Sequence, residues 1–123
     1  MPLDLLIVDD SAAIRKILER VLRQADVPLG NVHQAGDGVE ALASLKDRKV
    51  DMILADINMP NMDGLELLGQ VKASPEWQNI PVIMVTTESS QAKVMQAVEL
   101  GAAGYIRKPF TADQIKSKLE GFF

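Results

Sequence analysis

The chain carries five short apolar runs, at residues 3–8, 31–35, 51–55, 80–86 and 104–107. Each has the length of a strand. The run at 80–86 is apolar and β-branched nearly throughout, the pattern of a strand buried on both faces of a parallel sheet. The run at 31–35 is short and mixed, and gives the weakest strand signal. Between the runs the apolar period becomes helical. Ile14, Ile17, Leu18, Val21 and Leu22 follow the i, i+3, i+4, i+7, i+8 spacing, and Ala25 extends the stripe. Ser11 stands where an N-cap belongs, and Pro28 follows the end. Val39, Leu42 and Leu45 mark a second helix. Leu65, Leu68 and Val71 mark a third, entered from Asp63-Gly64 and stopped before Pro75. Val94, Ala97, Val98 and Gly101 mark a fourth. Ile115, Leu119 and Phe122 mark a fifth, and its start, Thr111-Ala112-Asp113-Gln114, fits a capping box. Strand and helix alternating five times predict a doubly wound α/β domain, its right-handed crossovers placing helices on both faces of a parallel sheet.

Length and composition narrow the classes. A chain of 123 residues fits one domain, spanning 1–123, since domains cluster at about 100–150 residues. Its apolar share of 47% and charged share of 24% are those of a globular protein, not of a disordered or coiled-coil chain. Thirteen Lys and Arg against 17 Asp and Glu leave a net charge of −4. With no basic run, nucleic acid is a poor partner, because phosphate neutralisation supplies most of that affinity. The absence of cysteine excludes disulfides and thiolate metal sites, and the single histidine, His33, cannot build a His-rich one. No apolar stretch reaches the roughly 20 residues of a membrane span, and the N-terminus lacks the form of a secretory signal. A cytoplasmic protein without a membrane partner, acting as a monomer, is the expectation.

The candidate chemistry lies where the apolar runs stop. The first ends in Asp9-Asp10, the third in Asp56, the fourth in Thr86-Thr87-Glu88, and the fifth in Lys108-Pro109. In a parallel sheet these ends share one edge, where open α/β sheets bind their ligands. If strands one and three are neighbours, three carboxylates converge there. Such a cluster repels itself, and a hard cation such as Mg²⁺ relieves the repulsion while keeping waters and phosphate oxygens in its shell. Asp10 and Asp56 are the best direct ligands, Asp9 can act through water, and the Asn58 backbone carbonyl is within the same loop. Lys108 can face a phosphoryl oxygen and Thr86 can donate a hydroxyl. Together these are the parts of a phosphoryl acceptor.

Each residue also has an ordinary role. Asp9-Asp10 suit a helix start, Asp56 a polar loop start, Thr86 a strand and Lys108 a solvated surface. It is their joint placement at four strand ends that points to a site. The stretch from Asp56 is not a calcium loop, since Pro60 and Leu67 occupy ligand positions. His33 reads as structural or surface, Trp77 as packing over a loop, and the scattered methionines as core filling.

Four segments, LLIVDDS at 5–11, LADINMPNMDGLELL at 54–68, VIMVTTES at 82–89 and GAAGYIRKPFT at 101–111, carry a family resemblance. Across its whole length the chain resembles the receiver domain of two-component response regulators, closest to single-domain CheY-like chemotaxis regulators. The resemblance implies a flavodoxin-like sheet of order 2-1-3-4-5 with five helices. It implies Asp56 as the residue phosphorylated by a histidine kinase, and Asp9 and Asp10 as the acid pair at Mg²⁺, with Asn58 lending its carbonyl. It further implies Thr86 as the switch hydroxyl, Tyr105 as the switch aromatic, Lys108 as the phosphoryl-binding amine, and a cis Lys108–Pro109 bond. A downstream partner would bind the face of helix four, strand five and helix five. Thr87, often Ala or Ser in the family, can narrow access to Asp56, and Arg107 adds charge to the partner face. The implied protein is a signalling module that supports only its own phosphorylation and dephosphorylation.

Two other classes remain open on the residues alone. A small Mg²⁺-dependent phosphatase or phosphotransferase also uses an Asp nucleophile. Enzymes of the haloacid-dehalogenase type usually carry an acid two positions later, where Asn58 stands here. A flavin-binding electron carrier has a similar topology, but Asp9-Asp10 would repel the phosphate.

Overall fold

A computed structural model describes residues 2–87 and 90–122. Glu88 and Ser89, at the end of the fourth apolar run, lie outside the described residues. Among the described residues the elements are β1 (Leu3–Val8), α1 (Ala12–Gln24), β2 (Leu29–Ala35), α2 (Gly38–Asp47), β3 (Met52–Ala55), α3 (Gly64–Ala73), β4 (Val82–Thr86), α4 (Gln91–Glu99), β5 (Gly104–Arg107) and α5 (Ala112–Leu119). The strands form one parallel sheet in the order β2-β1-β3-β4-β5. This is the flavodoxin-like arrangement expected.

The continuous apolar runs explain the two layers. Successive strand side chains point to opposite faces. Leu6, Val8, Ile53, Ala55, Val82 and Met84 face one way and pack with α2, α3 and α4 residues such as Leu45, Leu68 and Ala97. Leu5, Ile7, Met52, Leu54, Ile83 and Val85 face the other way and pack with Leu18 and Leu22 of α1 and Ile115 and Leu119 of α5. Each of the larger side chains, Val, Leu, Ile or Met, contributes about 1.5–3 kcal/mol when fully buried. Side-chain caps start α1, α2, α3 and α5. Ser11 Oγ accepts from Ile14 N–H at 3.2 Å, and Asp63 Oδ1 accepts from Glu66 N–H at 2.8 Å. Thr111 and Gln114 form the reciprocal capping box.

The boundaries differ from the sequence reading in several places: β3 starts at Met52, one residue late, and Ala25 and Phe122 lie just beyond α1 and α5. Three further differences have a clear local cause. The second strand starts at Leu29, two residues early, because its polar start is tied to β1: Asn31 N–H donates to Asp4 Oδ1 at 2.7 Å. The fourth strand starts at Val82, not residue 80. Ile80 N–H closes a turn onto Trp77 O at 2.9 Å, and Pro81 has no N–H to give a ladder. Gly101 lies beyond α4, with φ of 99°, and its N–H returns to Val98 O at 3.0 Å. It ends the helix in the left-handed conformation that glycine adopts without penalty. Trp77 is half-buried against the core at the sheet edge where β4 begins, and His33 is half-buried in β2. Among the described residues, no helix is long and apolar enough to cross a membrane.

Candidate functional site

Strand order reverses between β1 and β3, so a crevice opens at their carboxyl ends. Val8 pairs with Ala55, which sets the next residues, Asp9 and Asp56, side by side. The ladder continues one step past both strands. Asp56 N–H donates to Val8 O at 2.9 Å, and Asp9 N–H to Ala35 O at 3.1 Å. These bonds fix the backbone under each carboxylate. Asp9 is 4% exposed and Asp56 8%, while Asp10, the first residue of the turn into α1, is exposed. One carboxylate oxygen from each of the three lies within 4.8 Å of the others. The convergence that the sequence made conditional on strand neighbours is therefore present.

Lys108 follows β5, whose Arg107 pairs with Thr86. Lys108 N–H donates to Thr86 O at 2.9 Å, and the Lys108–Pro109 bond is cis. The ammonium crosses to the carboxylates and donates to Asp9 Oδ2 at 2.8 Å and Asp56 Oδ2 at 3.3 Å. The remaining oxygens are held by the backbone: Asp9 Oδ1 accepts from Ser11 N–H at 2.9 Å, and Asp56 Oδ1 from Ile57 N–H at 2.7 Å. Burial disfavours the Lys108 charge. The hydrogen bond to Asp9, the charges of Asp56 and Asp9, and the hydrogen bond to Asp56 outweigh it, so its pKa lies above the ordinary lysine value. Lys108 is thus a fixed cation at neutral pH.

Thr86 ends β4 with no exposed surface, and Tyr105, paired with Met84, is half-buried two residues before the end of β5. The two switch candidates sit on adjacent strands. Asn58 is exposed in the loop from β3 to α3. That loop is held tight at its base: a Cβ on Gly64 would come within 1.9 Å of the Asp56 carbonyl oxygen, so only glycine fits. Gly64 N–H donates to Ile57 O at 2.8 Å. A cleft of about 510 Å³ opens over the carboxylates, bounded by Thr87, Lys108 and Pro109 and walled by Ile14, Ile17 and Phe110.

The donor set suits Mg²⁺. Three carboxylates converge at the edge of an open cleft. Their oxygens are hard donors, and the exposed side leaves room for waters and a phosphoryl group. Asp9, Asp10 and Asp56 are the carboxylates that could hold the ion.

Some of the site was not read from the sequence. Arg15 Nη1 donates to the Asp9 carbonyl, and its Nε donates to Gln34 Oε1 at 3.0 Å, linking the acid turn to β2. Arg15 shares its charge with the other exposed residues of α1, so no sequence pattern set it apart. The apolar wall has no signature of its own either: Ile14 and Ile17 belong to the helical stripe of α1, and Phe110 only follows Pro109 in the loop to α5.

The fold and this arrangement define a class: a flavodoxin-like domain whose switch point presents carboxylates and a lysine. Comparison with known proteins specifies it. Residues 5–120 match the response regulator receiver domain, and the chain belongs to that family. The chemotaxis protein CheY-3 of Vibrio cholerae is 40% identical over 119 residues, covering 97% of this chain and 90% of its own. The chemotaxis protein CheY of Pseudomonas aeruginosa is also 40% identical over 119 residues, covering 97% of this chain and 94% of its own. The structure of the chemotaxis response regulator CheY4 of Vibrio cholerae superposes with a TM-score of 0.87, at 33% identity and full coverage of both chains.

Proposed function

We propose that residues 1–123 form one receiver domain that works as a phosphorylation-driven switch of the chemotaxis type. A histidine kinase offers a phosphohistidine. A carboxylate oxygen of Asp56 attacks phosphorus, the P–N bond breaks, and its electron pair returns to the imidazole nitrogen. Lys108, already 3.3 Å from Asp56 Oδ2, moves its charge onto a phosphoryl oxygen. Mg²⁺, when bound by Asp9, Asp10, Asp56 and Asn58, supplies a second fixed positive charge and orients the phosphoryl oxygens. Water later hydrolyses the acyl phosphate and resets the chain. The observation that carries this reading is the convergence of Asp9, Asp10 and Asp56 on a charged Lys108 at the switch point.

Output runs through the face of α4, β5 and α5. The phosphoryl group gives the Thr86 hydroxyl a charge-assisted partner. Thr86 moves inward, and the Tyr105 ring follows into the space it leaves. The surface carrying Gln91, Val94, Val98, Arg107 and Lys118 then changes its affinity for a downstream protein. Val98 is 60% exposed and Met95 51%, apolar area that a protein partner would cover. This is a population shift, driven by the difference in phosphoryl contacts between two states.

Incubation with acetyl phosphate and Mg²⁺ tests the acceptor. One phosphoryl group should be added, labile to hydroxylamine and mapping to Asp56. A hydroxylamine-resistant label on Ser or Thr contradicts the assignment. For the output, Thr86→Ala should still accept phosphate but shift partner affinity less. Two structures, with and without beryllofluoride, should differ at Thr86 and in the Tyr105 rotamer; identical ones rule out this route.

A further inference from the structure

The turn between β2 and α2 is absent from the switch as described, yet it grips the loop that carries Asn58. Asp37 is the N-cap of α2, and Oδ1 accepts from Glu40 N–H at 2.9 Å. Capping uses that oxygen alone. The other, Oδ2, accepts from Asn61 Nδ2 at 2.7 Å. Beside it, Gly38 N–H donates to Met62 O at 3.1 Å. A Cβ on Gly38 would meet the Met62 side chain at 2.6–2.8 Å, so the two segments are in close contact. Asp37 is 6% exposed. Asn61 has φ of 64°, a left-handed conformation that Asn tolerates better than other residues with a side chain. The Asn61 amide, and after it Glu40 N–H, hold the Asp37 carboxyl below the ordinary aspartate pKa. It is therefore an ionised acceptor at neutral pH.

The loop is thus tied twice. Gly64 N–H to Ile57 O closes its base, and Asp37 with Gly38 holds its outer turn at Asn61 and Met62. Asn58 lies between the two ties. We infer that the Asp37–Asn61 hydrogen bond fixes the loop that offers the Asn58 carbonyl, which makes Asp37 and Asn61 positioning residues for Mg²⁺. The inference rests on the Mg²⁺ site proposed above. Groups that orient metal ligands from behind cost about 10–100-fold in metal affinity when removed.

Two variants separate positioning from stability. Asn61→Gly keeps access to the left-handed backbone and the net charge, and removes the side chain that makes the bond. The paired exchange Asp37→Asn with Asn61→Asp also keeps the net charge. It reverses the bond, since Asn at 37 can cap Glu40 with its oxygen and donate its amide to the new carboxylate. Calorimetric titration with Mg²⁺ alone, without a phosphodonor, reads the site, with melting temperature measured in parallel. Asn61→Gly should bind Mg²⁺ about 10-fold more weakly at a little-changed melting temperature. The paired exchange should restore most of that affinity. Wild-type affinity in Asn61→Gly, or a paired exchange as weak as Asn61→Gly, overturns the inference. If the wild-type chain binds no Mg²⁺, or Asp10→Asn binds it as well as the wild type, it is the underlying metal site that fails.

Discussion

Each edge of the sheet carries two aspartates and a lysine, and only one edge is built as a site. At the amino-end edge, Asp4 Oδ1 accepts from Asn31 N–H at 2.7 Å and Asp51 Oδ2 accepts from Asp4 N–H at 2.9 Å. Lys49 lies 3.8 and 3.7 Å from their other oxygens, with its side chain 78% exposed. At the carboxyl-end edge, Asp9 and Asp56 each also give one oxygen to a backbone N–H. There the lysine is different: Lys108 is 13% exposed and at 2.8 and 3.3 Å. A third carboxylate, Asp10, completes the group. The amino-end aspartates staple β1 to β2 and to the entry of β3. The carboxyl-end aspartates concentrate like charge that one lysine leaves only partly neutralised. Residue type does not distinguish the two trios. Burial of the cation and the presence of a third acid do.

That contrast can be broken most easily with a metal. Asp10→Asn should weaken Mg²⁺ binding by 10-fold or more, on the order of the loss when a metal-site partner is removed. Asp4→Asn should leave it unchanged in the same calorimetric titration. Equal losses would mean that bulk charge, and not the site, attracts the ion. Trp77 fluorescence is a poor substitute, because the indole packs at the opposite edge.

The lysines give the next effect. Lys108→Ala leaves Asp9 and Asp56 facing each other without a cation and should cost about 1–3 kcal/mol in denaturant unfolding, less than a fully buried pair because the cleft is open to water. Lys49→Ala should cost no more than about 0.5 kcal/mol, as for exposed ion pairs. Saturating Mg²⁺ should shrink the first deficit and leave the second. The smallest effect is alkaline. The folded Lys108 pKa is raised, so its stabilisation is fully present below the ordinary value of 10.5 and is lost as pH rises through the raised one. Above pH 10.5 the wild type should lose stability more steeply than Lys108→Ala. Parallel curves would show that Lys108 gains nothing from the acids.

Most of the carboxyl-end edge was legible in the sequence because apolar runs end abruptly at Asp9, Asp56 and Lys108, and parallel pairing sends those ends to one place. The apolar runs and periods marked the strands and helices, and the strand order came from the family resemblance alone. The amino-end trio was invisible, since charges before a strand look like ordinary loop residues. The Asp37–Asn61 bond joins residues 24 apart through a left-handed turn. Sequence showed only turn-forming residues there, with nothing to pair them. Arg15 escaped for the same reason: its partner is a backbone carbonyl, which has no sequence signature. The apolar run overshoots the start of β4 because Ile80 is apolar but closes a turn, and Pro81 accepts from Ile53 N–H at 3.0 Å yet has no N–H of its own to donate.

The central claim is that the aspartate following β3, Asp56, and not the one preceding it, Asp51, accepts the phosphoryl group. Intact-mass measurement after acetyl phosphate and Mg²⁺ tests it on three proteins: wild type, Asp51→Asn and Asp56→Asn. One phosphoryl group should appear on the first two and none on the third. Uptake by Asp56→Asn, or none by the wild type, would contradict the account.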